Sequence, residues 1–86
     1  MIVNIPSPLR SYTKQAGKVD GQGDSLLEIL DDLDRRYPGI KFRMIDEQDG
    51  IREHIKFFIN EEEVHDLKAR VGARDTVHII CALSGG

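Results

Sequence analysis

The stretch SLLEILDDLDRRYPG, residues 25–39, constrains the fold most, because it predicts one long amphipathic helix. Its apolar side chains recur three and four positions apart and therefore share one stripe, while the charged side chains take the other side. Ser25 and Glu28 have the spacing of a capping box, in which each side chain accepts a hydrogen bond from the other residue's backbone N–H. Pro38 and Gly39 are typical of the end of a helix.

Short β-branched runs on either side of the helix predict strands. IVNI at residues 2–5 predicts a first strand, which Pro6 and Pro8 would restrict to a sheet edge. The other predicted strands are a weak one at 18–20, IKFFIN at 55–60 and TVHIICAL at 76–83.

The remaining segments are less clear. Residues 40–55 fit either a short strand or a helical turn, EEEV at 61–64 fits a turn, and 66–75 fits a loop with at most one helical turn. Two strands, one long helix and then further strands predict an α+β fold. We expect a mixed sheet with the helix packed across one face, which is a β-grasp arrangement.

Composition narrows the function. The chain has 86 residues and a formal net charge of −3, so we expect one domain and no electrostatic footprint for nucleic acid. No apolar run is long enough to span a membrane, and nothing resembles a signal peptide, so we expect a cytoplasmic protein. The single cysteine, Cys81, excludes an internal disulfide and a thiolate metal site.

No set of side chains forms a catalytic or metal-binding motif. The three histidines lack the spacing of metal ligands, and no acid–base pair or triad is recognisable, so we expect no metal, no bound cofactor and no enzymatic activity. Cys81 lies in phase with Val77 and Ile79 on the last strand, so we expect it to be a small buried hydrophobe. His78 should face solvent.

Gly85 and Gly86 follow the predicted last strand after only one further residue, Ser84. We expect residues 83–86 to form a flexible tail that can enter a narrow channel, because glycine has no Cβ. Its carboxylate is a chemical handle. A partner that uses ATP could adenylate it, and a sulfur nucleophile could then convert it into a thiocarboxylate.

Several stretches together resemble the ubiquitin-like β-grasp sulfur carriers of molybdopterin, thiamine and cysteine biosynthesis. They are the IPSPLR, GDSLLEIL, RRYPGI and FFINEEEV segments and the final LSGG. The match is strongest to the cysteine branch. Molybdopterin carriers place two prolines before the tail, where this chain has Cys81 and Ala82.

The resemblance implies a single carrier domain over residues 1–86, with the thiocarboxylate on Gly86 and clearance supplied by Gly85. It implies two partners: an E1-like adenylyltransferase, and an acceptor of the cysteine-synthase type or the molybdopterin synthase large subunit.

The resemblance also implies a docking surface on the open sheet face, and strand alternation locates it. It assigns Phe58 and Ile80 to the face that the helix leaves uncovered, with Leu83 and Arg10 near the edge. A ubiquitin-like protein modifier and a β-grasp interaction module without tail chemistry remain alternatives.

Overall fold

A five-stranded mixed sheet with one long helix across one face forms the framework. The computed structural model describes residues 1–82, and within them the sheet order is β2-β1-β5-β3-β4. Strands β1 and β5 pair in parallel, and the other pairs are antiparallel. The predicted α+β fold is confirmed. The elements are β1 Ile2–Asn4, β2 Lys18–Asp20, α1 Leu26–Arg36, α2 Ile40–Met44, β3 Ile55–Ile59, β4 Glu62–Val64 and β5 Thr76–Cys81.

Strand β1 lies inside the sheet, so its predicted edge position is wrong. It pairs with β2 on one side and with β5 on the other. The prolines do not interrupt this pairing, because the strand ends at Asn4 and Pro6 lies beyond it. The chain then turns through a 3-10 segment, Ser7–Leu9.

Helix α1 begins with a variant of the predicted capping box. The Ser25 hydroxyl accepts from the backbone N–H of Glu28 at 3.2 Å, as predicted. The Glu28 carboxylate, however, accepts from the backbone N–H of Asp24 at 3.0 Å instead of from Ser25. Two further N–H groups of the first turn, those of Leu26 and Leu27, donate to carbonyls of the loop that precedes β5. The loop at residues 65–75 contains turns but no helix.

The segment that the sequence left open contains the short helix α2. Gly39 precedes it with φ of 96°, and the Asp34 carboxylate accepts from the backbone N–H groups of Gly39 and Lys41, both at 3.1 Å. Ile45 and Ile51 then form an isolated bridge around a tight turn. After β3, the predicted turn is present at Glu61 and leads into the short strand β4.

The core lies between the sheet and α1. Its buried side chains include Leu26, Ile29, Leu30 and Leu33 of α1. They pack with inward-facing strand residues, which are Val3 of β1, Phe57 of β3, and Val77 and Ile79 of β5. No helix among residues 1–82 is long and apolar enough to cross a membrane.

One buried carboxylate ties α1 to the loop before it. Asp32 accepts from Arg35 and Arg36, each at 2.9 Å, and from the backbone N–H of Gln22 at 3.1 Å. Burial raises the pKa of Asp32, but the hydrogen bond from Arg35, the charge and hydrogen bond of Arg36 and the Gln22 N–H outweigh it. The pKa therefore lies below its ordinary value.

Replacing Asp32 should lower stability in a pH-dependent way. We expect Asp32→Asn to reduce the free energy of unfolding near neutral pH by about 1–2 kcal/mol, since both arginines are partly exposed. A carboxyl with a lowered folded pKa stabilises above its unfolded pKa of about 3.9, and this is lost as the pH falls through the folded value. The gap between the two proteins in urea unfolding should therefore shrink below about pH 4.

Asp31→Asn is the matched control, because Asp31 pairs with Lys41 at the surface. We expect it to change stability by less than about 0.5 kcal/mol. An equal loss in both variants would show that the buried network contributes nothing specific.

Candidate functional site

The sheet face opposite α1 carries Phe58 and Ile80, as strand alternation predicted. Phe58 lies opposite His78 across the β3–β5 ladder, and Ile80 lies opposite Lys56, so the two apolar side chains are diagonal neighbours. Ile80 is 43% exposed, whereas Phe58 is partly buried. The patch is therefore centred on Ile80, with Phe58 as its more sheltered side.

A row of outward-facing residues, which includes Phe58 of the patch, crosses all five strands. Its members, from β2 to β4, are Lys18, Asn4, His78, Phe58 and Glu63. His78 is half-buried, so the prediction that it simply faces solvent is incomplete. Its Nδ1 lies 2.9 Å from Nδ2 of Asn4, so a hydrogen bond joins the two side chains across the β1–β5 pair.

Arg10 lies at the edge of the patch and is held in place by the backbone. Its Nε donates to the carbonyl of Ile5 at 2.9 Å, and its guanidinium packs over Gly17, where a Cβ would lie 3.1 Å from Nη2. Arg10, Ile80 and Cys81 line the same surface depression. The predicted neighbours Arg10 and Ile80 are thus brought together.

Cys81 ends β5 and points to the core side, but it is only half-buried. It lies opposite Ile55 and packs against the core cluster. The prediction of its direction was right, whereas full burial was wrong, because the strand ends here and nothing covers the outer part of the thiol among the described residues.

Replacing Cys81 should therefore cost little. We expect Cys81→Ala to lower the free energy of unfolding by about 1 kcal/mol, because a half-buried sulfur is removed. Thermal unfolding measures this cost. A loss of several kcal/mol would contradict the half-buried position and would indicate a fully buried thiol.

The chain leaves the sheet at Ala82, whose backbone N–H donates to the carbonyl of His54 at 2.8 Å. The predicted site residues Leu83, Gly85 and Gly86 lie outside the described residues. The structure thus places Ile80 and Arg10 close to the point from which the last four residues start, whereas Phe58 lies further back along the sheet, opposite His78.

Sequence reasoning missed one group beside this point. Phe42, in α2, is 54% exposed, and Arg52 stacks on its ring, with 4.5 Å between the guanidinium carbon and the ring centroid. The sequence signal for it was the spacing of Ile40 and Met44, which are four residues apart. A helix that buries both of these side chains places Phe42 on its exposed side.

The described residues hold no cluster for a metal. Among residues 1–82 there is no group of three or more histidine, cysteine or carboxylate side chains that could hold an ion. The described residues instead present a partly apolar sheet face beside Ala82, the last described residue.

Comparison with known proteins identifies the family. The model of the ThiS family matches residues 3–86. The chain belongs to the ThiS family. The predicted resemblance to ubiquitin-like sulfur carriers is therefore confirmed.

The relatives support the cysteine-biosynthesis branch of this family. The chain is 32% identical to the sulfur carrier protein CysO of Mycobacterium tuberculosis, over 98% of this chain and 96% of that protein. A chain in the crystal structure of the Amycolatopsis orientalis BexX/CysO complex superimposes with a TM-score of 0.91 at 36% identity, covering 99% of this chain and 98% of that one.

A more distant match supports the fold only. The crystal structure of SAMP1 from Haloferax volcanii has a TM-score of 0.78 at 24% identity, covering 100% of this chain and 98% of that one. It agrees with the ubiquitin-like β-grasp fold.

Proposed function

We propose that this protein carries sulfur for cysteine biosynthesis as a thiocarboxylate on Gly86. The observation that carries the proposal is the family match, which extends through residue 86, together with the near full-length similarity to proteins named sulfur carrier protein CysO. The protein acts as a cosubstrate of its partner enzymes, and the chemistry of each step takes place in their active sites.

The proposed chemistry needs two steps at the Gly86 carboxylate. In the first, a carboxylate oxygen attacks the α-phosphate of ATP in an E1-like adenylyltransferase, and pyrophosphate leaves. In the second, a sulfide-level sulfur attacks the acyl carbon and AMP leaves, which yields the thiocarboxylate. The thiocarboxylate sulfur then forms a bond to the β-carbon of an activated serine in a cysteine-synthase-type acceptor, and the group that activates the serine oxygen leaves. Hydrolysis of the bond between the new cysteine and the Gly86 acyl group then releases cysteine and restores the Gly86 carboxylate.

The reach of the chain end fits this scheme. Four residues follow Ala82, and in an extended conformation they span at most about 14 Å. A tail of this length can carry the Gly86 carboxylate from the globular surface into a catalytic centre inside a partner. Gly85 would let the backbone pass through a channel that a side chain would block.

The docking surface in this proposal is the open sheet face. Ile80 supplies an exposed apolar contact, Phe58 extends it, and Arg10 lies at its rim. We expect Leu83, the first residue of the tail, to add a further apolar contact with the partner. The crystallised complex of BexX with CysO, a protein of the same fold at 36% identity, supports a carrier that works by docking to a protein partner.

The intact mass of the protein tests the proposal. The protein is incubated with ATP, an E1-like adenylyltransferase of the family and a sulfide source, and the control omits ATP. We expect a gain that matches the exchange of one oxygen for sulfur, and fragmentation should place it on the C-terminal peptide.

Two other results would overturn the proposal. Heavier conjugates joined through Gly86 to lysine side chains would indicate a ubiquitin-like modifier. An unchanged mass with an adenylyltransferase shown to be active on its own carrier would indicate an interaction module.

A further inference from the structure

Phe42, Arg43 and Arg52 form an exposed group, here named the Phe42 corner, beside the start of the tail. Helix α2 buries Ile40 and Met44 on one side, which leaves Phe42 on the other side with 54% of its surface exposed. A single exposed aromatic is common on protein surfaces. The two arginines around it, and its place in the molecule, give this one significance.

Arg52 is fixed on the Phe42 ring and keeps its outer donors free for a partner. Its Nε donates to the Phe42 carbonyl at 2.7 Å, and its guanidinium lies over the ring. The charge of Arg52 lowers the pKa of Asp46 only as a minor contribution after the backbone N–H groups of Gly50 and Gln48. Among residues 1–82 no carboxylate lies within ion-pair distance of Arg52 or Arg43.

The corner and the open sheet face flank the start of the tail. Phe42, Arg43 and Arg52 line one surface depression with Cys81. Cys81 also borders the depression that contains Ile80. The next residue along the chain is the last described one, so the tail starts between the two depressions.

Positive charge is concentrated around this point, although the whole chain has a net charge of −3. In the part of the chain that the structure describes, neither depression is lined by a carboxylate, and their cations are Arg10, Lys18, Arg43 and Arg52. A third depression, beside β4, is lined by four carboxylates, which belong to Asp49, Glu53, Glu63 and Asp66, and by three cations, one of which is Arg52. The charged side chains that line the two depressions bordered by Cys81 are therefore basic, whereas the lining of the third depression is mixed.

We infer that the Phe42 corner is a second docking surface for the adenylating enzyme and contacts an acidic rim around the channel that receives the tail. The inference rests on the proposed function. A channel mouth that encloses the tail must touch the carrier on both sides of the tail's start, and the open sheet face covers only one side. The partner surface on the other side must complement a stacked arginine and a phenylalanine, which calls for carboxylates next to an apolar contact.

Steady-state kinetics with the E1-like adenylyltransferase test the inference, with thiocarboxylate formation as the readout. We expect Arg52→Glu to raise the KM for the carrier about tenfold and to leave kcat unchanged, because a rim charge acts on encounter and binding. Phe42→Ala should raise KM by about fivefold, since it removes the apolar contact and the platform for Arg52. The KM of Arg52→Glu should also depend less on salt than that of the wild type.

Arg74→Glu is the matched control, because it makes the same change of charge at an exposed position in the loop before β5. Its KM should stay within about twofold of the wild type. Thermal unfolding must show that all three variants are folded.

Each outcome has one meaning. If both corner variants have wild-type KM values while the wild type is loaded with sulfur, the corner is not an interface and the proposed function stands. If Arg52→Glu and Arg74→Glu raise KM equally, the effect comes from the overall charge of the carrier, and the corner is not a specific interface. If the wild type itself gains no sulfur, the proposed function fails and the inference fails with it.

Discussion

Deletion of Gly86 is expected to abolish sulfur loading while leaving the fold intact. The deletion leaves a carboxylate on Gly85, but this carboxylate starts about 3.5 Å further back along the chain. Misplacement of a reacting group by about 1 Å can cost on the order of 100-fold in rate, so activation should fall by at least that factor. Thiocarboxylate formation is measured by intact mass, with ATP and the adenylyltransferase at saturation.

The controls distinguish the loss of the reacting carboxylate from a loss of folding. The core of the described residues lies between the sheet and α1, so the thermal midpoint of the truncated protein should equal that of the wild type. Gly72→Ala alters a glycine far from the tail, where an added Cβ meets nothing closer than 3.4 Å, and it should load sulfur normally. Full loading of the truncated protein would contradict the role of Gly86.

A charged side chain at position 85 should also prevent sulfur loading, because it would obstruct entry of the tail into the partner. Gly85→Asp keeps the length of the tail but adds both bulk and charge beside the reacting carboxylate. We expect little or no loading, since a channel that fits glycine excludes a side chain. Normal loading of this variant would show that the channel is wide at this point, and measurement by the same mass assay decides it.

The sequence predicted the elements whose signals are local. The apolar stripe and the N-cap of α1 lie within fifteen residues, and alternation in β3 and β5 depends only on each strand, so Phe58 and Ile80 could be assigned to one face. The prediction of tail chemistry also needed no tertiary structure, because it depended on two glycines and a carboxylate.

The sequence did not predict what depends on distant pairing. The interior position of β1 follows from its parallel pairing with β5, and the same pairing brings Asn4 to His78 across 74 residues of sequence. Helix α2 has five residues, too few for a stable isolated helix, so its formation depends on burying Ile40 and Met44 in the core. The spacing of these two residues could therefore indicate the exposure of Phe42 only once this segment was known to be helical.

Ile80→Asp is expected to weaken binding to the adenylyltransferase more than any other change on the sheet face. Ile80 is exposed, so the variant should fold, and its neighbours Lys56 and Arg10 would stabilise the new carboxylate in the free protein. In the complex that carboxylate would be taken from water into an apolar contact. We expect the affinity to fall by about 2–4 kcal/mol, or roughly 30- to 1,000-fold in Kd, measured by calorimetric titration.

Ile2→Asp is the matched control for this prediction. Ile2 is 50% exposed on the same outer face, but it lies opposite Thr76, at the end of β5 away from the tail. Its replacement should change Kd by less than about threefold, because it lies outside the proposed contact. Equal weakening by both variants would mean that the partner covers the whole sheet face, and an unchanged Kd for Ile80→Asp would place the docking surface elsewhere. Only a loss confined to Ile80 supports an interface centred beside the tail.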